Sequence, residues 1–412
     1  MTSGTMRSFG RLAFAALAGL GSSACRDSTG PDYQTGVQIH AGNNFTCALL
    51  KNGRVHCWGD NGAGQLGDGT NDDRNFPRML AGDLKFRSIG IHGDGTHACG
   101  VTTAADAYCW GRNGDGQLGD GTTDNSTVPV KVLGDIKFQT VSAGSRFTCG
   151  VALSGAAYCW GRGAWGNLGN GATEQNTTPV AVSGNHMFLT VRAGSSSLAC
   201  GVTTGGAAYC WGLNWRSEVG GETSEMCTVG PFFLSCASTP VRVPAPDGLR
   251  FESISPGSSY ACGVLEDGRA VCWGRNESFR LGSETSEICV GGPGLSDAPC
   301  SRTPVEVSGG HRVTMIATSS SHACGISQSR QAICWGSNSQ GQLGDGSPLR
   351  DPKLPVRVVG GLTFKGITSG RAHTCGVATD SVLYCWGTNF EGQLGNPSAL
   401  IEEIPIRVAP AS

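Results

Sequence analysis

The sequence predicts an all-β protein: a closed seven-bladed β-propeller whose first blade is completed by the C-terminal strand. Three observations predict it. A Cys-x9-Cys-Trp-Gly unit recurs seven times, each unit reads as four short strands, and 65 of the 412 residues are glycine. Glycine at roughly twice its usual share disfavours long helices, because each one costs about 1 kcal/mol in a helix interior. It does not fall at every third position, which excludes collagen. A hydrophobic fraction of 39% excludes a disordered chain.

The repeat comes first because a period near 50 residues dictates architecture. Its pairs are Cys47 with Cys57, Cys99 with Cys109, Cys149 with Cys159, Cys200 with Cys210, Cys262 with Cys272, Cys324 with Cys334 and Cys375 with Cys385. Successive first cysteines are 52, 50, 51, 62, 62 and 51 residues apart. Each pair ends in Trp-Gly, from Trp58 to Trp386. Thr148-Cys-Gly-Val151 and Ala157-Tyr-Cys-Trp160 flank a small-residue turn and read as a hairpin. Phe138–Ala143 precedes it, and Val128–Val132 alternates at period two with Pro near its start, as an outer strand tolerates. Four strands make one propeller blade. Seven Pro-containing strands occur, the last being Ile404–Val408, and none precedes Cys47. This arrangement predicts that the C-terminal strand joins the first blade.

The unit Gly-x-x-His-Thr-Cys-Gly-Val…Tyr-Cys-Trp-Gly-x-Asn-x-x-Gly-Gln-Leu-Gly resembles the repeat of the regulator of chromosome condensation (RCC1) family. The resemblance spans residues 37–408. It implies a propeller, but the family includes exchange factors, photoreceptors and secreted inhibitors, so it implies no single activity. Extra tryptophans cluster in the light-sensing member; here only Trp165 and Trp215 lie outside the repeated position.

Each x9 pair places its cysteines opposite one another on adjacent strands, within disulfide reach. Two further pairs fit insertions: Cys227 with Cys236, and Cys289 with Cys300. Nine disulfides leave Cys25 unpaired. Arg7 and Arg11, the apolar run Leu12–Leu20 and Ser22-Ser23-Ala24-Cys25 read as a signal segment over 1–24, followed by a tether over 25–36, with a tail at 409–412. The ending looks like a bacterial lipoprotein signal with Cys25 lipidated, although Ser22 stands where Leu is usual. Membrane attachment through that lipid, and an exported protein of the cell envelope, periplasm or exterior, are therefore expected. The net charge of -2 disfavours nucleic acid.

No cofactor or metal is expected. The uniform x9 spacing does not gather four thiolates, and Asp/Gly loops such as 113–124 lack the calcium-binding series ending in Glu. His97, His322 and His373 recur with the repeat, which assigns them to the blade. No non-repeated acid–base set indicates catalysis. Departures from the repeat are more informative. Repeats four and five carry related insertions, Glu222–Cys236 and Glu284–Cys300, and the first holds Phe232 and Phe233. With Trp165, Trp215, Arg216 and Arg280 they form the candidate binding face, unless the two phenylalanines fold back over the base of their own loop. The expectation is a monomeric, non-enzymatic protein-binding scaffold, inhibitor-like or adhesive, with an unknown protein as partner. A carbohydrate-binding propeller, with Trp165 and Trp215 stacking on sugars, is the alternative, and a polysaccharide-acting enzyme a more distant one.

Overall fold

The computed structural model describes residues 36–195, 197–290 and 296–410. The expected signal segment, the expected tether up to residue 35 and Cys25 lie outside the described residues. Seven antiparallel sheets follow one another along the chain, five with four strands and two with five. In blade 3, Phe138–Ala143, Phe147–Ala152, Ala157–Gly161 and Asn176–Ala181 are hydrogen-bonded in that order.

The expected closure by strand exchange is not present. The C-terminal strand Ile401–Arg407 pairs with Leu383–Thr388, so it belongs to blade 7. Blade 1 builds its own sheet from Gly36–Ala41, Phe45–Leu50, Val55–Gly59 and Arg74–Met79. The sheets are open, and among the described residues no two blades share a strand. The physical reason is the frame of the repeat. Each Pro-containing strand is the outer strand of the blade whose cysteines it follows, and Gly36–Ala41 already supplies an inner strand ahead of Cys47.

The blades are joined instead by side chains. Every repeated Trp is buried and sends its indole N–H to a backbone carbonyl in the turn of the preceding blade: Trp110 to Gln65 at 3.0 Å, Trp160 to Gln117 at 2.9 Å, Trp386 to Gln342 at 3.0 Å. Trp58 of blade 1 reaches Gln393 of blade 7 the same way, at 2.9 Å. The turn glycine is required there: Gly169 has φ 69°, and a Cβ on it would lie 2.6 Å from Trp211 Nε1. The repeated histidines add a second link. His97 Nε2 lies 2.7 Å from Thr148 Oγ1, which donates to the Gln117 carbonyl, and His373 bonds Thr46 of blade 1 likewise at 3.0 Å. Burial pushes these histidines down to a pKa of about 3, so they pack as neutral rings.

All nine disulfides are formed. In blades 1 to 4, Cys47 is bonded to Cys57, Cys99 to Cys109, Cys149 to Cys159 and Cys200 to Cys210. In blades 5 to 7, Cys262 is bonded to Cys272, Cys324 to Cys334 and Cys375 to Cys385. The paired Cα atoms of these seven are 4.0–4.1 Å apart. They lie at directly opposed positions of the second and third strands, as Cys99 and Cys109 do in blade 2.

Candidate functional site

Two connections between third and outer strands depart from the repeat, in blades 4 and 5. In blade 4, Met226–Val229 turns back through Gly230 onto Phe232–Val243, pairing Val229 with Phe232 and Met226 with Ser235. The disulfide between Cys227 and Cys236 staples the base of this hairpin, with Cα atoms 5.8 Å apart. The tip therefore projects with Phe232 46% and Phe233 59% exposed, rather than folding over its own base. In blade 5, Glu287–Cys289 pairs with Ala298–Glu306, and the bond between Cys289 and Cys300 staples them. Ile288 and Val290 are exposed there, at 52% and 71%. Sequence reasoning missed these two; apolar residues on both sides of Cys289, the first cysteine of the second insertion, were the available signal.

An open groove of about 1750 Å³ runs between the two insertions, with Trp215, Glu222 and Glu225 on one side and Glu287, Val290 and Arg302 on the other. The segment Ala164–Gly166, which carries Trp165, packs against the blade 4 hairpin. Trp165, Trp215, Phe232 and Phe233 thus share one end of the propeller.

The two arginines of the expected face serve the interior instead. Arg216 is buried, donates to the Cys289 carbonyl at 3.0 Å and to the Ser296 carbonyl at 2.5 Å, and lies 5.1 Å from the centre of the Trp215 ring. It ties the blade 4 turn to the blade 5 insertion. Arg280 is also buried, donating to the carbonyls of Glu277 and Ser320 at 2.9 and 3.1 Å, while its own carbonyl receives Trp335. It occupies the place that Gln65 and Gln117 hold in other blades, where a long polar side chain braces the turn. Glu218 fills the same place in blade 4. Burial pushes its carboxyl up to about 8, although the Arg216 backbone N–H donates to it at 2.7 Å. A neutral Glu there stands in for glutamine: Gln65 Oε1 accepts the Ala63 N–H at 2.8 Å in the same way.

Replacing Arg216 by alanine is expected to destabilise the protein by about 2–4 kcal/mol, since a buried side chain and its bonds to the Cys289 and Ser296 carbonyls are lost. Protease cleavage within 284–300 should accelerate in parallel. Unchanged denaturation and cleavage would show that the clamp is dispensable.

The acidic groups do not converge on a reacting atom. Glu284 pairs with Lys353 at 2.9 Å and Glu287 with Arg302 at 3.7 Å. Glu225 lies beside Cys227 and Cys236, but those sulfurs are bonded to each other, leaving one carboxylate as donor. In the Asp/Gly loops the polar groups serve the turns: Asp120 accepts from Asn113 and Thr122, and the Asn113 side-chain Oδ1 accepts the Leu118 N–H.

The RCC1 repeat models match residues 52–101, 106–151, 154–200 and 331–377, and in a second form 37–65, 251–279, 313–342 and 364–393, together more than half of the chain. The ultraviolet-B receptor UVR8 of Arabidopsis thaliana is 27% identical over 378 residues, covering 90% of this chain and 69% of the receptor. The mitochondrial RCC1 domain-containing protein RUG3 of the same plant is 26% identical, covering 88% and 68%. Among solved structures, Prp20p of Saccharomyces cerevisiae, described with its binding to Gsp1p and histones, superposes with a TM-score of 0.71 at 19% identity, covering 92% of this chain and 88% of its own. The matches and the superposition together show a β-propeller built of RCC1 repeats. The expected cell-envelope location is contradicted by these relatives, of which RUG3 is a mitochondrial protein.

Proposed function

We propose that this chain, which belongs to the RCC1 repeat family, binds a partner protein through the paired insertions of blades 4 and 5. The observation that carries this reading is the hairpin tip. Two adjacent phenylalanines stand exposed on a hairpin that is stapled at its base, on a propeller end where the next insertion is also clamped. Rigid aromatic side chains beside a groove are what protein recognition uses, because little conformational entropy is lost when they are covered. The acidic groove rim, with Glu222, Glu225 and Glu287 against Arg242 and Arg302, favours a partner segment of mixed charge with an apolar centre.

A photo-crosslinker placed at Phe233, with one at exposed Leu153 as control, should capture a protein that the control does not. With that protein purified, F232A/F233A should weaken binding by about 100-fold, as losing two aromatic anchors implies. Equal affinity of the folded double variant would defeat the reading. A carbohydrate ligand would instead show as sugar binding lost in Trp165→Ala and Trp215→Ala. The placement of Arg216 over the Trp215 ring already occupies a stacking face.

A further inference from the structure

The second blade contains an irregularity at the centre of the molecule. Between its inner strand and Cys99 the chain is two residues longer than in blade 3, adding to the run Ile91-His92-Gly93-Asp94-Gly95. This run crosses the axis. Ile91 bridges Ala143 of blade 3, Gly93 bridges Gly370 of blade 7, and the Gly95 carbonyl accepts the Asn43 N–H of blade 1 at 2.9 Å. His92 Nδ1 is 3.4 Å from Ser195 Oγ of blade 4. Glycine is needed at the crossing, since a Cβ on Gly93 would sit 3.0 Å from the Ser319 backbone of blade 6. The loop is a plug touching five other blades.

One side of this plug faces a cavity of about 430 Å³ lined by the inner strands of all seven blades. At the position where five blades place Gly90, Ser142, Ser255, Ala317 and Thr368, blade 4 places Arg192 and blade 1 places His40. Arg192 is exposed to the cavity, yet it has no ion pair or side-chain hydrogen bond among the described residues, and the cavity lining contains no carboxylate. Asp94 of the plug lines a separate pocket instead, with Arg112 and Arg371. The Arg192 charge is close enough to hold His40 and His92 further down in pKa than burial alone would. His92 is 8% exposed and its Nε2 has no partner. The hydroxyls of Ser88, Thr140 and Ser253, further along the same inner strands, have none either. A cation that faces a cavity without a carboxylate, beside buried polar groups that lack partners, leaves a place for an anion to complete the hydrogen bonding.

We propose that the plugged central cavity is a binding site for a small oxyanion, held by Arg192 and His92. Arginine presents the planar fork that carboxylate and phosphate oxygens match, and the surrounding hydroxyls supply further donors. Lys365 also lines this cavity and adds positive potential; its ammonium bonds Ser381 Oγ at 2.5 Å. The site lies apart from the insertion face and does not depend on it.

Inorganic phosphate is the probe. Titration calorimetry on the full chain in a chloride-free, low-salt buffer should give saturable binding in the millimolar range or tighter, and Tm should rise with phosphate. Arg192→Ser installs the side chain that blades 3 and 5 already use at this position, so the variant should fold. It should bind phosphate at least 10-fold more weakly and lose the Tm response. F232A/F233A should bind phosphate as the parent does. Equal phosphate binding by parent and Arg192→Ser, or none by the parent up to about 20 mM, overturns the proposal.

Discussion

Lowering the pH from 7 to 5 is expected to destabilise the protein steeply, by about 5 kcal/mol per pH unit near pH 5.5. Burial holds His92, His97, His322 and His373 at about 3, and His40 and His56 at about 4, whereas all titrate near 6.5 when unfolded. Above pH 6.5 these rings are neutral in both states and their contribution is complete. As pH falls below 6.5 the unfolded chain gains protons that the fold refuses, so stability is lost until the folded rings protonate at 3–4. Glu218 and Asp94 act in the opposite sense. Burial raises both, so the fold holds protons there that the unfolded chain has released, and that contribution fades as pH rises, for Glu218 through about 8. Six histidines against Glu218 leave a net uptake of about four to five protons on unfolding, which Asp94 reduces in part, and each proton contributes about 1.4 kcal/mol per unit. Urea midpoints between pH 7 and 5 measure it, and a flat profile would show that the histidines titrate freely. His373→Gln should reduce the slope by about one proton while retaining a bond to Thr46.

The histidines also show where the sequence was legible and where it was not. Any residue that recurs seven times announces its blade role, because a repeated environment demands a repeated side chain. That logic recovered the blades and their seven disulfides, and a threefold recurrence was enough for the structural reading of His97, His322 and His373. It failed at singular positions. Arg216 and Arg280 interrupt the repeat and so resemble surface residues. Nothing in a linear sequence shows that a long guanidinium can reach inward to carbonyls of the next insertion. The two-residue excess before Cys99 was visible as a spacing anomaly, but only the circular arrangement of blades turns it into a plug. Closure was misjudged because a strand's neighbours depend on where the repeat frame begins, which periodicity alone leaves free. The N-terminal reading had a different weakness. A start with Arg7 and Arg11, several serines and no acid is shared by more than one class of targeting segment, and residues 1–35 lie outside the described residues.

Full reduction is expected to abolish the native state. Each blade disulfide closes a loop of about 11 residues, which contributes roughly 2–3 kcal/mol by the chain-entropy estimate. Seven such staples together, about 14–21 kcal/mol, match or exceed the 5–15 kcal/mol that separates typical folded and unfolded states. The blades lack strand exchange, so they depend on their own hairpins and on the Trp-to-turn bonds between neighbours, and both require each hairpin to hold its shape. Tryptophan emission is the natural readout, because the seven repeated Trp are 0–1% exposed. Chain unfolded in denaturant and reductant should regain the buried-indole spectrum after dilution only when oxidant is supplied. The two classes of staple should separate cleanly. C149S/C159S removes one from the core of blade 3 and should cost about 2–3 kcal/mol. C227S/C236S should leave the propeller's unfolding midpoint nearly unchanged, because that bond closes only a projecting hairpin. Binding through Phe232 and Phe233 should nonetheless weaken, since the partner must then order the tip itself. Recovery of native emission by the reduced chain without oxidant would mean that interblade packing alone holds the fold, and the disulfides would then be ornaments of the blade rather than its fasteners.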